Sequence, residues 1–246
     1  MLDPLLDILF PRRCAGCGSG AWPFCPACLA EAVPLTPPWC ARCGLPTERE
    51  VARCRGCPPR EIATARAPFL FSGPVRAAVH RLKFSGWRAV AEALATAMVA
   101  VPPPGGRPEA VSWVPLSRRR LAERGFDQAA ALARVVARRL DLPVQGLLLR
   151  ATNTSPQARR GGAERRAAMA GAFRVADRPP PRVLLVDDVL TTGATAAACA
   201  LSLLEAGAHS VYLLTAARAI SGPLPARYTR SGSRPGLWLP GEEAPR

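Results

Sequence analysis

Eight of the nine cysteines fall into four CxxC pairs within the first 57 residues of the 246-residue chain. Cys14–Cys17 and Cys25–Cys28 are separated by seven residues, Cys40–Cys43 and Cys54–Cys57 by ten. A CxxC pair sets two thiolates on one tight turn, and two such turns complete a tetrahedral sulfur site. The spacing predicts two structural zinc ribbons with no open coordination position, and hence no catalysis at the metal. Pairing the first four cysteines and then the last four costs less chain entropy than interleaving them. Disulfides and an iron–sulfur site are the alternatives, the first disfavoured where thiols are kept reduced. Redox CxxC chemistry lacks its strand–helix context in this Pro-rich stretch. Cys199 stands apart in an apolar helical stretch and reads as a buried small hydrophobe.

A ribbon pair cannot use the whole chain. The residues are 49% hydrophobic, enough for a real core beyond the cysteines. The boundaries expected are 1–60 for the double ribbon with a short leading helix, 61–220 for a main domain, and 221–246 for a flexible tail rich in Pro, Gly, Ser and Arg. With two histidines in all, a Ser-His-Asp or His-rich metal enzyme is hard to assemble. The formal charge is +15, falling to about +11 once eight thiolates bind two dications. That excess favours anionic partners. All but one of the 33 basic residues are arginine, a GC-rich coding bias, so much of the arginine reads as solvated surface. The single lysine, Lys83, then marks a place where a compact ammonium fits and a guanidinium fork does not. No basic leader or small-residue cleavage site opens the chain. No apolar run approaches the roughly 20 residues of a membrane span. A cytoplasmic location without membrane insertion is expected.

From Ala67 the pattern alternates between strands and helices. Phe69–Ser72, Ala110–Pro115, Val183–Val186 and Val211–Thr215 read as strands. Pro74–Lys83, Arg88–Val101, Gln128–Leu140 and Thr195–Ala206 read as helices, the third with Leu132, Val135, Val136 and Leu140 on one face. Such alternation predicts an α/β domain with a mostly parallel sheet.

The sharpest motif is the run VLLVDDVLTTGAT, residues 183–195. An apolar strand leads into Asp187 and Asp188, a small-residue loop follows, and a helix begins. The C-terminal end of a parallel strand is where α/β proteins place ligands. Thr191, Thr192, Gly193, Ala194 and Thr195 offer backbone N–H groups, hydroxyls and the positive end of a helix dipole, a cradle for one phosphate. Carboxylates repel phosphate but accept hydrogen bonds from sugar hydroxyls. Side by side, the two halves describe a ribose 5-phosphate group. Neither a Walker loop (no Gly-Lys-Ser/Thr) nor a GxGxxG fingerprint is present.

This segment resembles the 5-phosphoribosyl 1-diphosphate (PRPP) motif of type I phosphoribosyltransferases. The resemblance extends to Trp113–Ser117 with Arg124-Gly-Phe-Asp127-Gln128, which looks like the family's diphosphate-loop region. Leu149–Gln157, with Glu164-Arg165 and Gly171–Phe173, looks like its mobile hood. With the cysteines in front, the whole resembles the ComF family of competence-associated proteins, from Pro11 to about Arg218. Asp127 stands where that family commonly has Asn, and the hood is unusually rich in Arg and Gly at residues 159–162.

The resemblance implies a type I phosphoribosyltransferase-like sheet and PRPP with Mg²⁺ as ligand. It implies Asp187 and Asp188 as the catalytic pair holding the ribose hydroxyls, and Thr191–Thr195 on the 5-phosphate. It further implies Ser117 and Arg118 near the diphosphate, with Arg150 and Arg165 (or Arg159) closing over it. Lys83 is a further candidate for phosphate. No acceptor pocket is legible, since Ala216–Ala219 follows the last strand without a residue suited to a base edge. Two functions stay open: phosphoribosyl transfer, or a non-catalytic module that binds single-stranded DNA or a helicase during DNA uptake.

Overall fold

The computed structural model describes residues 13–19, 21–84, 88–101, 106–150, 171–220, 222 and 224–228. A short helix, α1 (Pro26–Glu31), lies in the first ribbon. Strands β1 (Thr64–Arg66) and β2 (Phe69–Leu70) lead into α2 (Gly73–Phe84) and α3 (Arg88–Ala100). Then come β3 (Ala110–Trp113), α4 (Arg118–Arg124), α5 (Gln128–Leu140), β4 (Leu148–Arg150), β5 (Phe173–Val175), β6 (Arg182–Leu190), α6 (Ala194–Glu205) and β7 (Ser210–Arg218). The main sheet runs β1, β7, β6, β3, with β2 following β1 along the same edge of β7. Every pairing in it is parallel, so the predicted α/β architecture is present. Antiparallel β4 and β5 form a separate two-stranded sheet.

The period of two along β6 divides the core. Leu184 and Val186 join Val111 and Leu214 under Leu94 and Met98 of α3 and Leu132 and Val136 of α5. Val183 and Leu185 face the other way, with Leu213, against Cys199 and Leu203 of α6. Both faces of the sheet are covered, which is why its strands read as unbroken apolar runs rather than alternations. Cys199 is fully buried, as its surroundings in the sequence suggested. Helix α5 begins at Asp127, whose carboxylate accepts from the N–H groups of Ala129 and Ala130. Its polar side is anchored to α3, where Glu92 accepts from Arg138 and Arg139, each at 2.6 Å.

Three expectations change. Strand β6 does not stop before the aspartates but continues through them to Leu190. Five elements carry no sequence signal: α1, β1, α4, β4 and β5. Helix α4 buries no residue and so has no apolar stripe; it is held by its ends, Ser117 accepting from Arg120 N and Gly125 turning left-handed at φ 73°. Finally, several arginines are not solvated surface. Arg66 and Arg218 are buried, and the guanidiniums of Arg42, Arg66, Arg81, Arg218 and Arg227 all donate to main-chain carbonyls.

Those contacts dock the ribbons. Arg81 of α2 donates to the carbonyls of Ala15, at 2.9 Å, and Gly16 in the first ribbon. Arg218, the last residue of β7, donates to Cys43 O at 2.6 Å and Gly56 O at 2.5 Å in the second. Arg66 of β1 reaches Ala41 O at 2.8 Å and covers the Trp39 ring. Past the main domain, Arg227 and Tyr228 bind Thr47, Pro38 and Thr36, so the described start of the tail is tied to the ribbons too.

Candidate functional site

The eight cysteines gather into two groups, Cys14, Cys17, Cys25 and Cys28, and Cys40, Cys43, Cys54 and Cys57. This is the sequential pairing that loop entropy favours. Sulfurs on a tetrahedron of 2.3 Å zinc bonds lie about 3.8 Å apart. Cys17 and Cys25 are separated by 3.8 Å, Cys40 and Cys57 by 3.6 Å, Cys43 and Cys54 by 3.5 Å. The Cys25 N–H also donates to Cys14 Sγ, a bond that steadies a thiolate ligand. Hydrogen bonding with Ser19 holds the Cys17 pKa down to about 6. Burial and contact with Cys14 push Cys28 up. Four thiols this close cannot all ionise alone, and a dication resolves the conflict. Both groups fit structural zinc.

The second site opens at the C-terminal end of β6. Asp187, Thr191–Thr195 and Thr215 of β7 line a crevice of about 60 Å³. Gly193 sits at φ 76° as the residue before α6, a conformation that favours glycine. Thr192 Oγ1 accepts from Ala194 N at 3.3 Å, and the first N–H groups of α6 have no partner within the helix. The loop residues picked from the sequence are thus brought together with one of the two acids.

The acids themselves part company, because the strand runs through them. Asp187 follows Val183 and Leu185 onto the α6 face and lines the crevice. Asp188 follows Leu184 and Val186 to the opposite face, where it is buried. Its Oδ2 meets Lys83 Nζ at 2.9 Å and accepts from Gln128 Nε2 at 3.3 Å. The one lysine of the chain is therefore paired with Asp188 and does not line the crevice. Gln128, which the sequence did not mark as a site residue, is buried at the first position of α5, where nothing in its periodicity signals a polar contact.

Beside β6, the loop after β3 carries Ser117 and Arg118 at the start of α4, the latter exposed. Asp127 braces this loop, its Oδ2 accepting from Leu116 N at 3.1 Å while its Oδ1 caps α5. Arg150, at the end of β4, lies over the Phe173 ring. Arg159 and Arg165 fall outside the described residues.

Burial, and next the charge of Asp188, raise the Asp187 carboxyl well above its ordinary 3.8. The folded state then holds this proton more tightly than the unfolded chain. Asp187 costs stability as pH rises from about 3.8 through the raised value, and the full cost persists above it. Asp187→Asn is therefore expected to raise the melting temperature by a few degrees at pH 7 and to change it little below pH 3.8. Equal melting at neutral pH would contradict the assignment.

Two four-cysteine ribbons docked by arginine onto a parallel α/β sheet, with a loop crevice at its C-terminal edge, define the class of protein. Residues 5–58 match the double zinc ribbon domain family. Over 204 residues the chain is 30% identical to DNA utilization protein YhgH of Escherichia coli O157:H7, covering 78% of this chain and 88% of that protein. It is 28% identical over 195 residues to Competence protein F of Haemophilus influenzae, covering 74% and 85%. The YhgH of Salmonella typhimurium is 30% identical over 203 residues, covering 77% and 88%. The chain belongs to this competence protein F (ComF) and YhgH family. Among the described residues no helix is long and apolar enough to cross a membrane.

Proposed function

We propose that the chain binds PRPP–Mg²⁺ in the β6–α6 crevice and works in the handling of DNA taken up by the cell. The relatives' names, a competence protein and a DNA utilization protein, support the cellular role. The ligand rests on one observation: a carboxylate and a helix-start loop share a single small crevice. Thr191–Thr195 would accept the 5-phosphate, and Asp187 would accept hydrogen bonds from the ribose hydroxyls. Asp188, neutralised by Lys83, would fix the strand end and the second edge of the pentose site. Ser117, Arg118 and the backbone braced by Asp127 would meet the diphosphate, and Arg150 and Arg165 are the arginines proposed to close over it.

Among the described residues only the cysteine groups bring three or more ligand side chains together. Mg²⁺ would therefore arrive on the diphosphate, held mostly by phosphate oxygens and water. The chemistry it would supply is neutralisation of charge on the departing diphosphate. Phosphoribosyl transfer is the reaction this arrangement suits. The chain's own part is to orient the pentose, hold the phosphate and exclude water.

Calorimetry tests the reading. Wild type should give a saturable heat with PRPP–Mg²⁺, and Thr192→Val/Asp187→Ala should bind about a hundredfold more weakly, the equivalent of losing two or three good hydrogen bonds. No heat with the wild type rejects the ligand. Substitution at Asp187 is preferable to Asp188, whose loss would strand the Lys83 charge.

A second reading is favoured by α4, whose Arg118, Arg119 and Arg120 are all exposed. This row suits a phosphate backbone, as a module for single-stranded DNA or a helicase-bound strand. Such binding should weaken steeply with salt and survive Asp187→Ala. Release of diphosphate only when an acceptor is added would favour the enzyme instead.

A further inference from the structure

We propose that the second zinc ribbon is the wall behind the phosphate loop, touching it at Gly193 without lining the crevice itself, with Arg42 as the residue that positions it. The inference rests on the phosphate reading above and adds a role for a domain that reading leaves outside the site.

Gly193 is buried although Thr191, Thr192 and Ala194 around it are exposed. What covers it is the exit of the ribbon. A Cβ placed on Gly193 would lie 2.9 Å from Pro58 Cβ and 3.4 Å from Pro59 Cδ. The loop and the two prolines are in direct contact, with no layer between them. Proline fixes its own φ and has no N–H, so this pair is stiff and offers only carbonyls by which to be held. Arg42 takes both. Its guanidinium donates to Pro58 O at 2.7 Å, Pro59 O at 2.8 Å and Ile62 O at 2.7 Å. Arg42 itself stands between Cys40 and Cys43, on the turn that the metal folds. The chain of contact runs from the zinc turn through Arg42 to the prolines and onto Gly193. Arg218 clamps the same ribbon to the end of β7, the strand beside β6. The first ribbon is stapled to α2 instead. The fold of the second cysteine group thus shapes the loop, although no cysteine lines the crevice.

Two experiments test this. In the first, Gly193→Ala, Pro58→Gly and the double variant are titrated with PRPP–Mg²⁺ and melted. Each single substitution should weaken binding about tenfold. The double variant should bind more tightly, and melt higher, than Gly193→Ala alone, because Pro58→Gly removes the carbon that the added methyl meets. Additive effects in both readouts would overturn the contact. In the second, hydrogen exchange is followed at the amides of residues 191–195 in Arg42→Ala with its zinc content measured. Faster exchange there, with both metals retained, supports the wall; unchanged exchange overturns it. If Arg42→Ala loses zinc, the Gly193 and Pro58 pair decides, since neither is a ligand. If the wild type binds no PRPP–Mg²⁺, the phosphate reading fails. The melting cycle and the exchange rates still decide the wall.

Discussion

Cys14→Ser and Cys40→Ser should each lower the zinc content from two ions per chain to one, and chelation should remove both with loss of the ribbon fold. Both sulfurs are fully buried, and a four-thiolate site contributes on the order of 10 kcal/mol or more to the segment it folds. Residues 13–60 have little else. Their described secondary structure is one helix of six residues and a few isolated bridges. Metal loss should therefore open the ribbon to proteolysis while the sheet, whose two cores take little from the ribbons beyond Ala15, Trp22 and Phe24, keeps its far-ultraviolet circular dichroism. The two variants should also differ. Losing the second ribbon strips Arg218 of its ribbon carbonyls and takes from Arg66 its bond to Ala41, leaving it only Ala65 of its own strand. Cys40→Ser should then lower the melting temperature of the main domain more than Cys14→Ser. A chain that keeps its ribbon intact to protease without metal would refute the zinc assignment.

Lys83→Ala should be among the most damaging single changes in the main domain. The Lys83 side chain is 22% exposed and that of Asp188 8%. Removing one partner of such a pair leaves an uncompensated charge, at a cost of about 3 kcal/mol after allowing for the partial exposure of the lysine. In a domain of this size that is roughly a 10 °C fall in melting temperature. Asp188→Asn should recover most of it in the Lys83→Ala background, since an amide needs no counter-charge and can still bond Gln128. Lys83→Arg should also cost stability, because the planar fork is bulkier than the ammonium that bonds Asp188 Oδ2 at 2.9 Å. Lys83→Ala with unchanged melting would mean the pair contributes nothing.

The elements legible in the sequence were those whose burial repeats. Gln128–Leu140 is predicted with its observed bounds because Leu132 and Val136 recur at helical spacing and Asp127 caps it. The strand 183–186 is visible as an apolar run, but its continuation to Leu190 is not, since two carboxylates mimic a strand end. That continuation decides the site: one residue further along a pleated strand is the opposite face. The loop Thr191–Thr195 was readable as a unit because it is local, the short turn between the end of β6 and the start of α6. The partnership of Lys83, Gln128 and Asp188 was not, because it joins α2, α5 and β6 across the core. The lone lysine in an arginine-rich chain was nonetheless a compositional hint that its place is special. The role of the second ribbon was illegible for the same reason: no spacing in the sequence relates Pro58 to Gly193.

The arginine staples have a further consequence. Arg42, Arg81 and Arg218 donate to peptide oxygens, not to acids. No carboxylate has to be ionised at these joints, and added ions compete poorly with a fitted, shielded fork. Brine strong enough to strip a polyanion from the outer arginines should leave the two halves of the molecule locked together, so an ionic-strength ramp can separate what the cationic surplus does for folding from what it does for partners.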